Sequence, residues 1–90
     1  MTVHTEHPYV VREEGIFHGE PVIKGTRTPV RSVVVFWQMR IMPEGIPKQL
    51  PHLSLAAVFD ALSYYEDHQA EIEDYIKRTG VPQSIMDAEV

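Results

Sequence analysis

The sequence contains no cysteine, so neither a disulfide framework nor a thiolate metal site supports a chain of 90 residues. A domain this small buries only about 60 % of the surface its unfolded chain exposes, and oligomerisation is the usual remaining source of stability. The lack of cysteine also fits a reducing cytosol. No apolar run reaches the roughly 18 to 20 residues that span a bilayer, and the opening MTVHTEHP lacks the basic and apolar regions of a secretory leader. The expectation is one soluble, cytoplasmic domain over residues 8–80, with residues 1–7 and 81–90 as flexible tails.

Cations are scarce as well. Eight Lys and Arg face 13 acids, for a formal charge of −5. They are unevenly placed: residues 1–42 are net +1 and residues 43–90 net −6. Any nucleic-acid contact therefore falls on the first half. The histidines, His4, His7, His18, His52 and His68, show neither an HExxH motif nor an i, i+4 ligand pair. No metal or other cofactor is expected. With no cysteine nucleophile, and with Glu66 and Asp67 on consecutive positions that point to different sides of a helix, the residues point away from an enzyme.

What is present is a sharp contrast around one glycine, in the stretch GEPVIKGTRTPVRSVVVFW from Gly19 to Trp37. Three cations, Lys24, Arg27 and Arg31, gather at the turn Lys24-Gly25-Thr26, and Arg40 follows. The turn has two readings. It is a structural hairpin, or it holds these cations outward as a grip on DNA phosphates or on an acidic protein surface. A phosphate loop is excluded, because GxxxxGK[ST] is missing and one glycine does not wrap a nucleotide. Ahead of the turn, Tyr9 to Val11 form a candidate strand, Ile16 and Phe17 a second, and Val22 and Ile23 a β-branched pair.

Thr28-Pro29 reads as a helix start, with threonine as cap and Ser32 as a later alternative. Val30, Val33, Val34, Trp37 and Ile41 then repeat on one helical stripe, which assigns them to the core. Val35, Phe36 and Met39 make the helix apolar nearly all round. A domain of this size is not expected to bury both faces itself. These three residues either pack beneath the N-terminal strands or form an interface with a second copy or a partner. Three prolines between Pro43 and Pro51 then limit any helix to a short one. Ser54 is a good N-cap for a helix whose stripe is Leu55, Val58, Phe59, Leu62 and Tyr65, with Ala57, Asp60, Ala61, Tyr64 and His68 opposite. A last helical segment covers Glu71 to Arg78, with acids first and cations last as the helix dipole favours. Its continuity with the preceding helix stays open at Asp67-His68.

The run GEPVIKGTRTPV, an apolar helix, PHLS, an alanine-bearing helix and YYEDH together resemble the bacterial family called domain of unknown function 433, over roughly residues 9–78. The resemblance implies a mainly α fold: a small helical bundle of the homeodomain-like, helix-turn-helix type behind a short β-hairpin. It places the first helix of that motif at Pro43 to Leu50, the turn at Pro51 to Leu53 and the second helix at Ser54 to Asp67. It also implies an antitoxin of the VapB type, encoded beside a PIN-like RNase toxin. The second helix here carries no Lys or Arg, so DNA binding is expected to be weak. In that reading Lys24, Arg27, Arg31 and Arg40 touch DNA or the toxin's acidic site. Val35, Phe36, Met39, Ile85 and Met86 then form the homodimer or toxin interface. The alternative is a stand-alone dimeric DNA-binding transcription regulator.

Overall fold

Val10 and Val11 open a strand, as β-branched side chains favour, but that strand lies in the middle of a sheet rather than in a hairpin with Ile16 and Phe17. The computed structural model describes residues 1–79. Its elements run β1 (Thr2–His4), β2 (Val10–Glu13), a 3-10 turn (Phe17–Gly19), β3 (Pro21–Ile23), α1 (Val30–Gln38), a 3-10 turn (Pro43–Gly45), α2 (Ile46–Gln49), α3 (Leu55–Asp67) and α4 (Gln69–Thr79). The protein is thus a small, mainly helical domain with a short three-stranded antiparallel sheet at its N-terminal end.

The strands form a meander, with Val3 opposite Arg12 and Val11 opposite Val22. Two expectations change here. Phe17 and His18 have φ of 50° and 54°, which no strand accommodates, so this segment turns back toward β3. And the first seven residues are not a tail: they supply β1 and a tight turn beyond it. The Thr5 hydroxyl donates to the Val10 carbonyl at 2.7 Å and accepts from the His7 amide at 3.1 Å, closing that turn around Pro8. The expected C-terminal tail, residues 81–90, lies outside the described residues.

Helix α1 is the central element. It packs on α3, α4, α2 and β3, so nearly every side of it meets protein. Val30, Val33 and Val34 are wholly buried, as their stripe predicts. Val35 and Phe36 are buried too, Phe36 with 2 % exposure. The expectation of a second apolar face left for a partner fails at these two residues, because the domain wraps the helix with its own elements. Trp37, assigned to the core, is 43 % exposed and leans on Tyr65 with ring centroids 6.2 Å apart. Capping also differs from expectation. Pro29 occupies the N-cap position without a side-chain cap, while Thr28 Oγ1 lies 2.6 Å from His52 Nε2. The buried Ser32 hydroxyl has no partner among the described residues.

Gly45 and Pro47 keep the next helix to one turn, α2, which seats the buried Ile46. Ser54 caps α3 as expected, its hydroxyl accepting from the Ala57 amide at 3.1 Å. Burial on α3 is rotated from the expected stripe. Ala57, Val58, Ala61, Tyr64 and Tyr65 face inward, and Leu55 and Phe59 are exposed. Two alanines let the backbones of α1 and α3 approach, and that gain in close packing outweighs burying two larger side chains at the rim. At His68 the backbone leaves the helical region, with φ −137° and ψ 45°, so α3 and α4 are separate helices joined at a corner. Removing the cap hydroxyl with Ser54→Ala is expected to lower stability by about 1 kcal/mol, read as a reduced urea midpoint with unchanged slope.

Candidate functional site

Lys24 and Arg27 flank Gly25, whose φ of +79° is open at low cost only to glycine. No atom crowds the position of a Cβ there, so backbone conformation alone selects the residue. Hydrogen bonds pin the turn on every side. The Lys24 amide donates to the Tyr9 carbonyl at 2.8 Å. Both the Thr26 amide (3.0 Å) and its hydroxyl (2.8 Å) donate to the Ile23 carbonyl, and the Thr28 amide donates to the Thr26 hydroxyl at 3.0 Å. Lys24 and Arg27 are exposed, and neither forms an ion pair among the described residues. The turn borders a recess of about 490 Å³ that Glu13 also lines, a mixed-charge surface rather than a phosphate cradle.

Arg31 does not belong to this surface. It is 7 % exposed, and its Nε donates at 2.5 Å to the carboxylate of Glu20, itself 3 % exposed. Burial pushes the Glu20 carboxyl above the usual carboxylate range, and the Arg31 hydrogen bond opposes that shift. Its guanidinium also lies 5.6 Å from the centroid of the Phe17 ring. The cation expected to reach outward is thus consumed in tying the β3 entry to α1.

The expected apolar interface survives in part. With Val35 and Phe36 buried, Met39 remains exposed, joined by Trp37 and Met42. Trp37, Arg40, Ile41 and Met42 help line an apolar recess of about 440 Å³ at the end of α1. Arg40 stands there exposed, with φ of 72°. Ile85 and Met86 lie outside the described residues.

A polar cluster that sequence reasoning missed joins the N-terminal turn to the α3–α4 corner. His7 is buried, with Nδ1 3.3 Å from Asp60 Oδ1 and Nε2 2.8 Å from Asp67 Oδ2. The other Asp60 oxygen accepts from the Tyr9 amide at 2.7 Å. His68 stacks on Tyr64 at 4.3 Å and places Nε2 2.5 Å from Glu6 Oε1. The Tyr64 hydroxyl donates to Glu71 at 2.7 Å, and Arg12 donates to both Tyr64 (2.8 Å) and Glu71 (2.6 Å). Burial and the bond to Glu71 push the Tyr64 hydroxyl well above its ordinary range. Glu6, His7 and Asp67 bring one ligand atom each within 4.8 Å of one another. Only the i, i+4 and i, i+7 spacings of Asp60, Tyr64 and Asp67 on one helix hinted at this grouping. The distant His7 gave no local sign.

A family model described as "Protein of unknown function (DUF433)" matches residues 10–65. The chain belongs to this family. The matched span carries the basic turn, the Glu20–Arg31 pair and the capped start of α3, while His7 and the α3–α4 corner lie outside it. A crystal structure of a DUF433 member protein from Anabaena variabilis is similar at a TM-score of 0.70 and 25 % identity, the match covering 77 % of this chain and 68 % of that one. None of the curated proteins matches. Within this DUF433 protein the cations thus divide into internal ties and exposed side chains. Arg31→Ala, which strands a buried carboxylate, is expected to cost about 3–5 kcal/mol in urea denaturation. Lys24→Ala and Arg27→Ala are expected to change stability by no more than about 0.5 kcal/mol.

Proposed function

We propose that this DUF433 protein is the antitoxin of a bacterial toxin–antitoxin pair, a non-catalytic cytoplasmic protein that binds and neutralises a PIN-like RNase. The observation that carries the reading is the pinned turn at Gly25, which holds Lys24 and Arg27 exposed and without an acidic partner among the described residues. No internal ion pair among those residues accounts for the two cations. They suit a compact acidic target, such as the carboxylates that a PIN-type RNase gathers around Mg²⁺. Arginine's forked donors match a carboxylate in two simultaneous bonds. The apolar recess with Met39, Trp37 and Met42, and Arg40 at its edge, is the surface for self-association or for the same toxin. The acids gathered by the fold fit a structural rather than catalytic role, since Glu20 and Glu71 are engaged by internal donors.

DNA contact in this reading is weak and autoregulatory. The exposed side of α3, with Leu55, Ala56, Phe59, Ser63 and Glu66, offers no cation to phosphates and no amide to base edges. That leaves Lys24, Arg27 and Arg40 in the first half and the scattered Lys48 and Lys77, too few on one surface for salt-resistant binding. Co-expression with the product of the adjacent gene tests the assignment. The pair Lys24→Glu and Arg27→Glu is expected to abolish rescue from toxicity while the melting temperature stays unchanged, with each lost charge-assisted bond worth about 1.5–3 kcal/mol of affinity. Full rescue by the doubly reversed protein would remove the basic turn from partner binding.

A further inference from the structure

The cluster at the α3–α4 corner gathers more carboxylates than fixed cations. Four carboxylates, Glu6, Asp60, Asp67 and Glu71, converge there, and Arg12 is the single guanidinium among them, bonded to Glu71. His7 stands at the centre with its side chain 8 % exposed. Both of its ring nitrogens face carboxylate oxygens, Nδ1 toward Asp60 and Nε2 toward Asp67 and, at 3.7 Å, Glu6. A neutral imidazole has one N–H to give. Asp60 is itself held by the Tyr9 amide, so it is the fixed acceptor for Nδ1–H. Nε2 then faces two acceptor oxygens, an arrangement that a bound cation satisfies as well as a second ring proton does.

We propose that this corner binds a divalent transition-metal ion of the zinc class, through His7 Nε2, Asp67 and Glu6, with water as the fourth donor. Imidazole nitrogen and carboxylate oxygen are both zinc ligands, and tetrahedral coordination at about 2.0–2.2 Å sets donor atoms roughly 3.3 Å apart. The separations here bracket that value, 2.8 Å from His7 Nε2 to Asp67 and 3.7 Å from His7 Nε2 to Glu6. Asp60 on the far nitrogen of His7 has the position of the outer carboxylate that fixes the tautomer of a metal-bound histidine. The donors come from two places far apart in sequence, the turn before β2 and the α3–α4 corner. Bound metal therefore ties the N-terminal segment to the helices, and its role is structural.

The test is titration of the chelator-stripped full-length protein with Co²⁺, followed by Zn²⁺ competition. One equivalent of Co²⁺ is expected to bind with the intense visible bands of a four-coordinate ion, and Zn²⁺ to displace it and raise the melting temperature. Asp67→Asn and Glu6→Gln alter exposed donors, and each is expected to weaken binding by more than tenfold with an unchanged circular dichroism spectrum. Asp60→Asn, one shell further out, is expected to weaken it about 10- to 100-fold. Should Co²⁺ give no such bands, or should it bind equally well to both donor variants, the metal assignment fails. His7 is then an imidazolium held by its carboxylates, or metal sits on the exposed His4 and His18. Because none of these substitutions touches Lys24 or Arg27, the outcome is independent of toxin binding.

Discussion

Burial of α1 on almost every side is the constraint from which the rest of the domain follows. A helix reading VRSVVVFWQ has no polar face to give to water, its only polar residues being Arg31, Ser32 and the terminal Gln38, so other elements must cover it. α3 meets it through Ala57 and Ala61, α2 brings Ile46, and α4 brings Ile72. The sheet closes the remaining side with Val10 and Ile23. The single arginine within this helix cannot escape the same burial, which explains why Glu20 is buried beside it: an unpaired guanidinium there would carry the whole cost of desolvation.

That demand sorts the cations of the first half by function. Arg12 and Arg31 look alike in sequence to Arg27, yet both are committed to internal carboxylates and serve the fold. Lys24 and Arg27 sit on a turn anchored through the amides of Lys24, Thr26 and Thr28, and neither forms an ion pair among the described residues. Rigidity there matters to binding, because a partner then meets cations whose supporting backbone has already lost its conformational freedom. The turn is tied to Tyr9, and Asp60 accepts the amide of the same residue, so the basic turn and the polar cluster share a scaffold.

Much of the helical plan was legible in local patterns. Ser54 announced the start of α3, Gly45 and Pro47 the shortness of α2, and the acid-to-base polarity of residues 71–78 the extent of α4. These are effects of a few neighbouring residues on one backbone, and they need no knowledge of the rest of the chain. The sheet was less legible. The stretch before Pro8 lacks a strong strand signal, and β1 exists because β2 offers it an edge, a non-local pairing whose gain no short window contains. The rotation of α3 was hidden for a related reason. Hydrophobicity ranks Leu55 and Phe59 above Ala57 and Ala61, whereas close packing against another helix reverses that ranking.

By itself the sequence determined the elements whose causes are local: the Ser54 cap, the helix breaks, the positive-φ turn at Gly25, and a helix too apolar to be left in water. Tertiary structure alone decided which residues each element turns inward, which arginines are consumed by the fold, and that His7 meets Asp60, Asp67 and the His68 corner more than fifty residues away. The physical reason is that a side chain's charge and hydrogen-bonding capacity are written in its identity, but the partner that satisfies them is set by how the packed elements approach one another in space.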